Sequence, residues 1–299
     1  MTTTVHTKSI QDAQKKIRNR RIRSTVIRYV VLILVGIIMI YPLIWMIGAT
    51  FKDNAEIFSS LNPIPAKPTL DGYVAAMENY GGKINIWGAM LNTYKFVVPE
   101  MVFTVISCTL TAYGFSRFNF KGRNLMFTIM LAMLFLPQVV LNVPQYMMYK
   151  GWGWVGSTLY LPLWVPSMFA TESYFVFMLV QFLRNIPRDL DEAAKIDGCN
   201  AMQILVKIIV PMLMPAIVSV ALFKFMWSSN NFLGPLLYVN KPAYYPATIF
   251  VKLSMDSDAG FNWNRILAVS LISIIPNITI FFLAQNQFVD GISAGGVKG

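Results

Sequence analysis

Long apolar runs alternate with short polar segments along this chain, and the lengths of the runs set the first expectation. Residues 29–51 carry no charge, and neither do 124–149 or 151–171. Each run is long enough to cross a hydrocarbon core of about 30 Å as a helix. Extending the pattern predicts six helices, at about 26–50, 87–115, 124–147, a fourth ending near 182, 208–232 and 263–288. Pro137 and Pro144 should break the third helix, since a helical proline loses an amide donor and crowds the turn before it. Pro211 and Pro215 fall early in the fifth. The segments between are polar or turn-rich, with external loops expected at about 51–86, 148–156 and 234–261. The fold class is therefore all-α, a polytopic membrane protein.

Composition agrees and charge adds an orientation. Fifty-six per cent of the 299 residues are hydrophobic, only 13% are charged, and mean hydropathy is +0.53. The net charge of +11 is not a nucleic-acid signature here, because eight of the 25 basic residues precede residue 29. A basic segment beside a first apolar helix is a positive-inside signal. With both termini inside, the cytoplasmic segments hold 16 Lys and Arg and the external loops 6. That assignment gives a basic tail (1–24), a six-helix domain (25–288) and a C-terminal tail (289–299), all N-in and C-in. The first run is too long for a signal-peptide core and lacks a cleavage site, so it reads as an uncleaved anchor. Cys108 lies in an apolar run and Cys199 in a polar one, which implies no disulfide. The lone histidine, His6, makes a histidine-based metal site or a Ser-His-Asp triad untenable.

One polar island, at 183–207, stands between the fourth and fifth helices. Within it, Asp189-Leu190-Asp191-Glu192-Ala193-Ala194-Lys195-Ile196-Asp197-Gly198 reads as a short helix. Asp189 and Glu192 have capping-box spacing, and Gly198 sits where a left-handed stop belongs. Two turns of helix are not stable alone in water, so something must hold them. Elsewhere, Gly151-Trp152-Gly153-Trp154-Val155-Gly156 matches a dinucleotide spacing but lies between apolar helices rather than after a strand. No phosphate-binding P-loop, zinc-protease motif or serine elbow occurs, so nothing supports catalysis or ATP hydrolysis by this chain itself.

The island, followed by Ile208-Ile209-Val210-Pro211 and Pro215, resembles the EAA loop of permease subunits of binding-protein-dependent ABC importers. The likeness to the carbohydrate-type permeases extends further. It includes Tyr41-Pro42-Leu43-Ile44-Trp45-Met46, Asn92, Ala112-Tyr113-Gly114-Phe115-Ser116-Arg117 and Phe120-Lys121-Gly122-Arg123. The terminal Ala294-Gly295-Gly296-Val297-Lys298-Gly299 is similar to the tail of the maltose-type second permease. The resemblance implies a type I importer permease fold in the cell membrane of a prokaryote. It implies a second, different permease subunit, two cytoplasmic ATPase subunits that carry ATP and Mg, and an extracytoplasmic solute-binding protein. No cofactor or metal on this chain is implied. Asp189, Asp191, Glu192, Ala193, Ala194, Lys195, Asp197 and Gly198 would then dock on an ATPase, with Gly295, Gly296 and Lys298 close to it. The chain departs from the family at Ser229-Asn230-Asn231-Phe232, where Trp-Asn-Asp-Phe is common, and at Lys224 and Cys199.

Four charges, Lys95, Glu100, Glu172 and Lys224, fall inside or beside expected spans. Charge in lipid is costly and must meet a partner or a water-filled path. Two readings follow: a polar translocation route that includes Asn92, Glu100, Glu172, Lys224, Asn230 and Asn231, or ion pairs of Lys224 with Glu100 or Glu172 that hold helices together. The function expected is a permease for a sugar or oligosaccharide. The alternatives are a charged polar solute, or a secondary ion-coupled transporter, although no internal repeat favours the latter.

Overall fold

The computed structural model describes the backbone of residues 2–255 and 262–296, and side chains within 19–285. Helices dominate, and no strand is present among the described residues beyond one isolated bridge between Tyr80 and Ile84. The main helices are α1 (Thr2–Ala49), α2 (Ile86–Arg117), α3 (Arg123–Ala132), α4 (Gln138–Gly151), α5 (Ser173–Arg184), α6 (Asp189–Ile196), α7 (Ala201–Ser229) and α8 (Trp263–Gly296). Five spans are long and apolar enough to cross a bilayer, and α3 with α4 makes a sixth if their bent pair is counted as one.

The boundaries depart from expectation where proline or tertiary packing intervenes. The third run bends by 101° at Pro137 alone. Leu136, held extended by the proline after it, ends the helical path (φ −79°, ψ 119°). Pro144 stays inside α4, so it is not a break. Because α4 continues to Gly151, the connection expected at 148–156 begins only at Trp152. The fourth run is also interrupted. A short turn at Leu161–Trp164 and a tight turn at Val165–Phe169 precede Ala170, which takes a left-handed φ of 52°. Glu172, expected inside a helix, instead stands at the mouth of α5.

The fifth helix starts seven residues before the expected 208. Asn200 and Gln203 form a reciprocal capping box there, and a π turn at Leu205–Ile209 prepares the chain for Pro211. The loop at 234–261 is largely ordered as well, with helices at Leu233–Tyr238 and Ala247–Met255, although 256–261 lie outside the described residues. At the C-terminal end, the backbone of α8 remains helical through Gly295 and Gly296, while Lys298 lies outside the described residues.

The bundle is centred on α2. It packs along α7 and α5, and α7 packs in turn on α8. Between α2, α5 and α7 lies a core that includes Cys108, Ala112, Phe175, Leu179, Ile209 and Ala216. The alanines let backbones approach closely, which matters where lipid removes most of the hydrophobic drive between helices. By contrast, the apolar window of α1 is unburied, so its side chains face outward nearly all round.

The end of α1 and the following loop are locked together. Lys52, fully buried, donates from Nζ to the carbonyls of Ser60 (3.2 Å) and Asn62 (2.7 Å), and Tyr41 Oη donates to the Leu61 carbonyl. Gly48 lies under this loop, and a Cβ on it would stand 1.7 Å from the Pro63 carbonyl oxygen. Gly48→Ala should therefore lift the loop off α1. The expected cost is about 1–3 kcal/mol, read as a lower Tm of the detergent-solubilised complex and faster protease cleavage between residues 51 and 70.

Candidate functional site

Two places gather the residues singled out from sequence. The first is α6. The N-cap position before it is held by Arg188, which gives no side-chain cap, so Asp189 does not cap as expected. Asp189, Asp191 and Glu192 instead occupy the first turn, where acidic groups oppose the positive end of the helix dipole. The other end is as expected. Gly198 adopts a φ of +81°, its amide donates to the Lys195 carbonyl, and the Cys199 amide donates to that of Ala194. This pair of bonds is a Schellman stop.

What holds so short a helix is a buried ion pair. Asp191 Oδ2 lies 2.8 Å from Arg117 Nε, with the two side chains 10% and 7% exposed. Arg117, the last residue of α2, also donates from Nη2 to the Ile186 carbonyl (3.0 Å). Arg188 Nη2 donates back to the Ser116 carbonyl (2.8 Å), and Tyr113 Oη to that of Ala201 (3.2 Å). Asp191 and Ala194 thus face the bundle. Asp189, Glu192, Ala193, Lys195, Asp197 and Gly198 face outward, together with Ile196, which is 87% exposed. A short rigid helix with charges around a bare isoleucine can plug into a complementary cleft.

The second place is a cavity of about 1040 Å³ beside both helix breaks. Its wall includes Gln138 and Asn142 after the Pro137 bend, and Ala170, Thr171 and Glu172 at the start of α5. Irregular backbone at membrane depth is tolerated where it lines a cavity or is lodged in protein, and both breaks meet that condition. Lys224 of α7 sits between two carboxylates, 2.7 Å from Glu100 Oε1 and 2.5 Å from Glu172 Oε1. Lys224 and Glu100 are buried, whereas the Glu172 side chain is 33% exposed. The pairing with Lys224 joins α2, the mouth of α5 and α7 at one point. Charge pairing and cavity lining therefore coexist in the same three residues.

The remaining polar candidates divide. Asn231 lines the cavity, and its Oδ1 accepts from the Gly234 amide (3.0 Å). Asn230 ends α7, exposed, with its Nδ2 donating to the Met226 carbonyl (2.8 Å). Asn92 is away from the cavity. Buried, it donates to the carbonyls of Ala243 (2.9 Å) and Tyr245 (3.4 Å) and accepts from the exposed Lys95, clamping the loop after α7. Sequence reasoning did not single out Arg117 as the anchor of α6, nor Ser228 and the aromatic residues Tyr149, Trp152, Trp154 and Trp227 around the cavity. Only the position of Arg117 at the end of an apolar helix gave a signal.

Arg117→Leu or Asp191→Leu alone strands a buried charge, which generally costs about 3–5 kcal/mol. Each single variant should lower the Tm of the complex, and the double variant should recover part of the loss. A thermal-unfolding double-mutant cycle measures the recovery.

Comparison with known proteins agrees with this architecture. The family described as "Binding-protein-dependent transport system inner membrane component" matches residues 86–289. The chain is 30% identical to the galactooligosaccharides transport system permease protein GanQ of Bacillus subtilis, over 94% of this chain and 98% of that one. It is also 30% identical to the trehalose/maltose transport system permease protein MalG of Thermococcus litoralis, over 89% and 94% of the two chains. Its fold is similar to a chain in the crystal structure of a bacterial ABC transporter involved in importing the acidic polysaccharide alginate. That match has a TM-score of 0.74 at 18% identity and covers 88% of this chain and 95% of that one. The protein belongs to the binding-protein-dependent transport system inner membrane components, and is a multi-pass permease of such an importer.

Proposed function

We propose that this permease passes a sugar or oligosaccharide from an extracytoplasmic binding protein to the cytoplasm, driven by partner ATPases that dock on α6. The observation that carries the coupling role is the two-faced construction of α6. Asp191 and Ala194 fasten its inner face to the bundle, and its outer face carries Glu192, Lys195 and the bare Ile196. The resemblance of α6 to an EAA loop supports the same role.

The sugar reading rests on the relatives named for galactooligosaccharides and for trehalose and maltose. A wall of aromatic rings and amides around a charged centre suits a hydroxylated solute, which offers apolar C–H faces to rings and O–H groups to carboxylates and amides. Two ATPases would carry the ATP and Mg, and a second, different permease would complete the path, with both termini of this chain in the cytoplasm. This chain itself would perform no catalysis.

Glu192→Lys reverses a charge on the exposed face of α6 without touching the Arg117 anchor. ATP-driven uptake by the reconstituted complex should fall at least about tenfold, equivalent to about 1.4 kcal/mol. Membrane insertion should be normal by protease accessibility. Full uptake by this variant would refute the docking role.

A further inference from the structure

The cavity has a charge imbalance that its pairing does not remove. Among the residues that line it, three are charged: Glu100, Glu172 and Lys224. Two carboxylates share one ammonium, so the cluster is left with a formal charge of −1. Both contacts of Lys224 are to Oε1 atoms. Glu100 Oε2 and Ser228 Oγ, on the α2 and α7 walls, are both buried without a hydrogen bond of regular geometry, although the Ser228 hydroxyl is within reach of the carboxylate. A carboxylate oxygen accepts and cannot donate, so Glu100 draws on the Ser228 hydroxyl and on any N–H or O–H that approaches. Glu172, whose side chain is one-third exposed, lines the same space.

We propose that Glu100, Lys224 and Glu172 act as a charge filter in the solute path. The cluster favours a glycoside bearing an ammonium group over its neutral counterpart, and rejects one bearing a carboxylate. This rests on the sugar-permease reading above and adds the electrostatic class of the cargo. Surplus negative charge attracts a cation and satisfies hydroxyl donors, whereas an anionic sugar meets repulsion in a poorly solvated site, where Coulomb forces are weakly screened. Tyr149, Trp152, Trp154 and Trp227 around the same space supply faces for either a sugar ring or a cation. The acidic cargo of the fold's alginate-importing relative is the kind this cluster would turn away.

The test uses the intact complex in detergent, without binding protein, so that selection by the external protein does not enter. Three glycosides of maltotriose serve as probes, with aminoethyl, hydroxyethyl and carboxymethyl aglycones: one sugar in three charge states at neutral pH. Quenching of tryptophan fluorescence reads binding, since three tryptophans line the cavity. Wild type should bind the amine at least about tenfold more tightly than the carboxylate, equivalent to about 1.4 kcal/mol, with the neutral probe between. Glu172→Gln, nearly isosteric, leaves one carboxylate to one ammonium and should shrink that ratio at least about threefold.

Equal or tighter binding of the carboxylate by wild type overturns the proposal, whether or not the variant folds. An unchanged ratio in a well-folded Glu172→Gln complex overturns it as well. Stimulation of ATP hydrolysis by the binding protein, measured in parallel on wild type, tests the importer reading separately. Its loss with the probe order intact would fail that reading and spare the filter.

Discussion

A broken backbone or an ionised side chain inside hydrocarbon finds no water, so each must be lodged in protein or face a cavity. The arrangement around Lys224 follows from that constraint. The bend at Pro137 and the interruption before Ser173 leave backbone outside any helix, and both open on the same space. Glu100, Glu172 and Lys224 meet there, each supplying what another needs. Moving any of the three to a lipid-facing position would leave an uncompensated charge. The helix breaks, the ionic cluster and the cavity thus form one feature of the fold.

The same logic, transferred to the membrane surface, explains α6. A helix of eight residues does not hold itself, and its two turns bury little beyond Asp191 and Ala194. Arg117 supplies the missing hold, reaching Asp191 and the Ile186 carbonyl from the end of α2. Since Glu100 lies midway along α2, one helix carries the anchor of the exposed α6 at its end and a member of the cavity cluster at its middle.

Much of this was legible in the residues. Uncharged runs of about 20 residues announce helices because bilayer thickness and helical rise are fixed lengths. Gly198 announced its left-handed stop because only glycine takes that conformation without strain. Other features were not legible, because they depend on neighbours distant in sequence. Pro137 and Pro144 look alike locally, yet only Pro137 breaks the path, beside the cavity that takes up its irregular backbone. Asp189 had the spacing of a cap, but the chain enters α6 through Arg188 in a helical conformation, which leaves no capping position for it.

By itself the sequence determined that the chain is helical, that it resides in a membrane, and that the polar island between the fourth and fifth expected helices contains a short, well-terminated helix. Those properties come from lengths, periodicity and local backbone preference, which act between near neighbours. Only the tertiary structure decided which face of α6 is anchored and which is offered, that Asn92 is a loop clamp away from the cavity, and that one lysine is shared by two carboxylates. Each of these depends on the distance between groups that lie tens of residues or more apart in the chain, and nothing local in a sequence sets that distance.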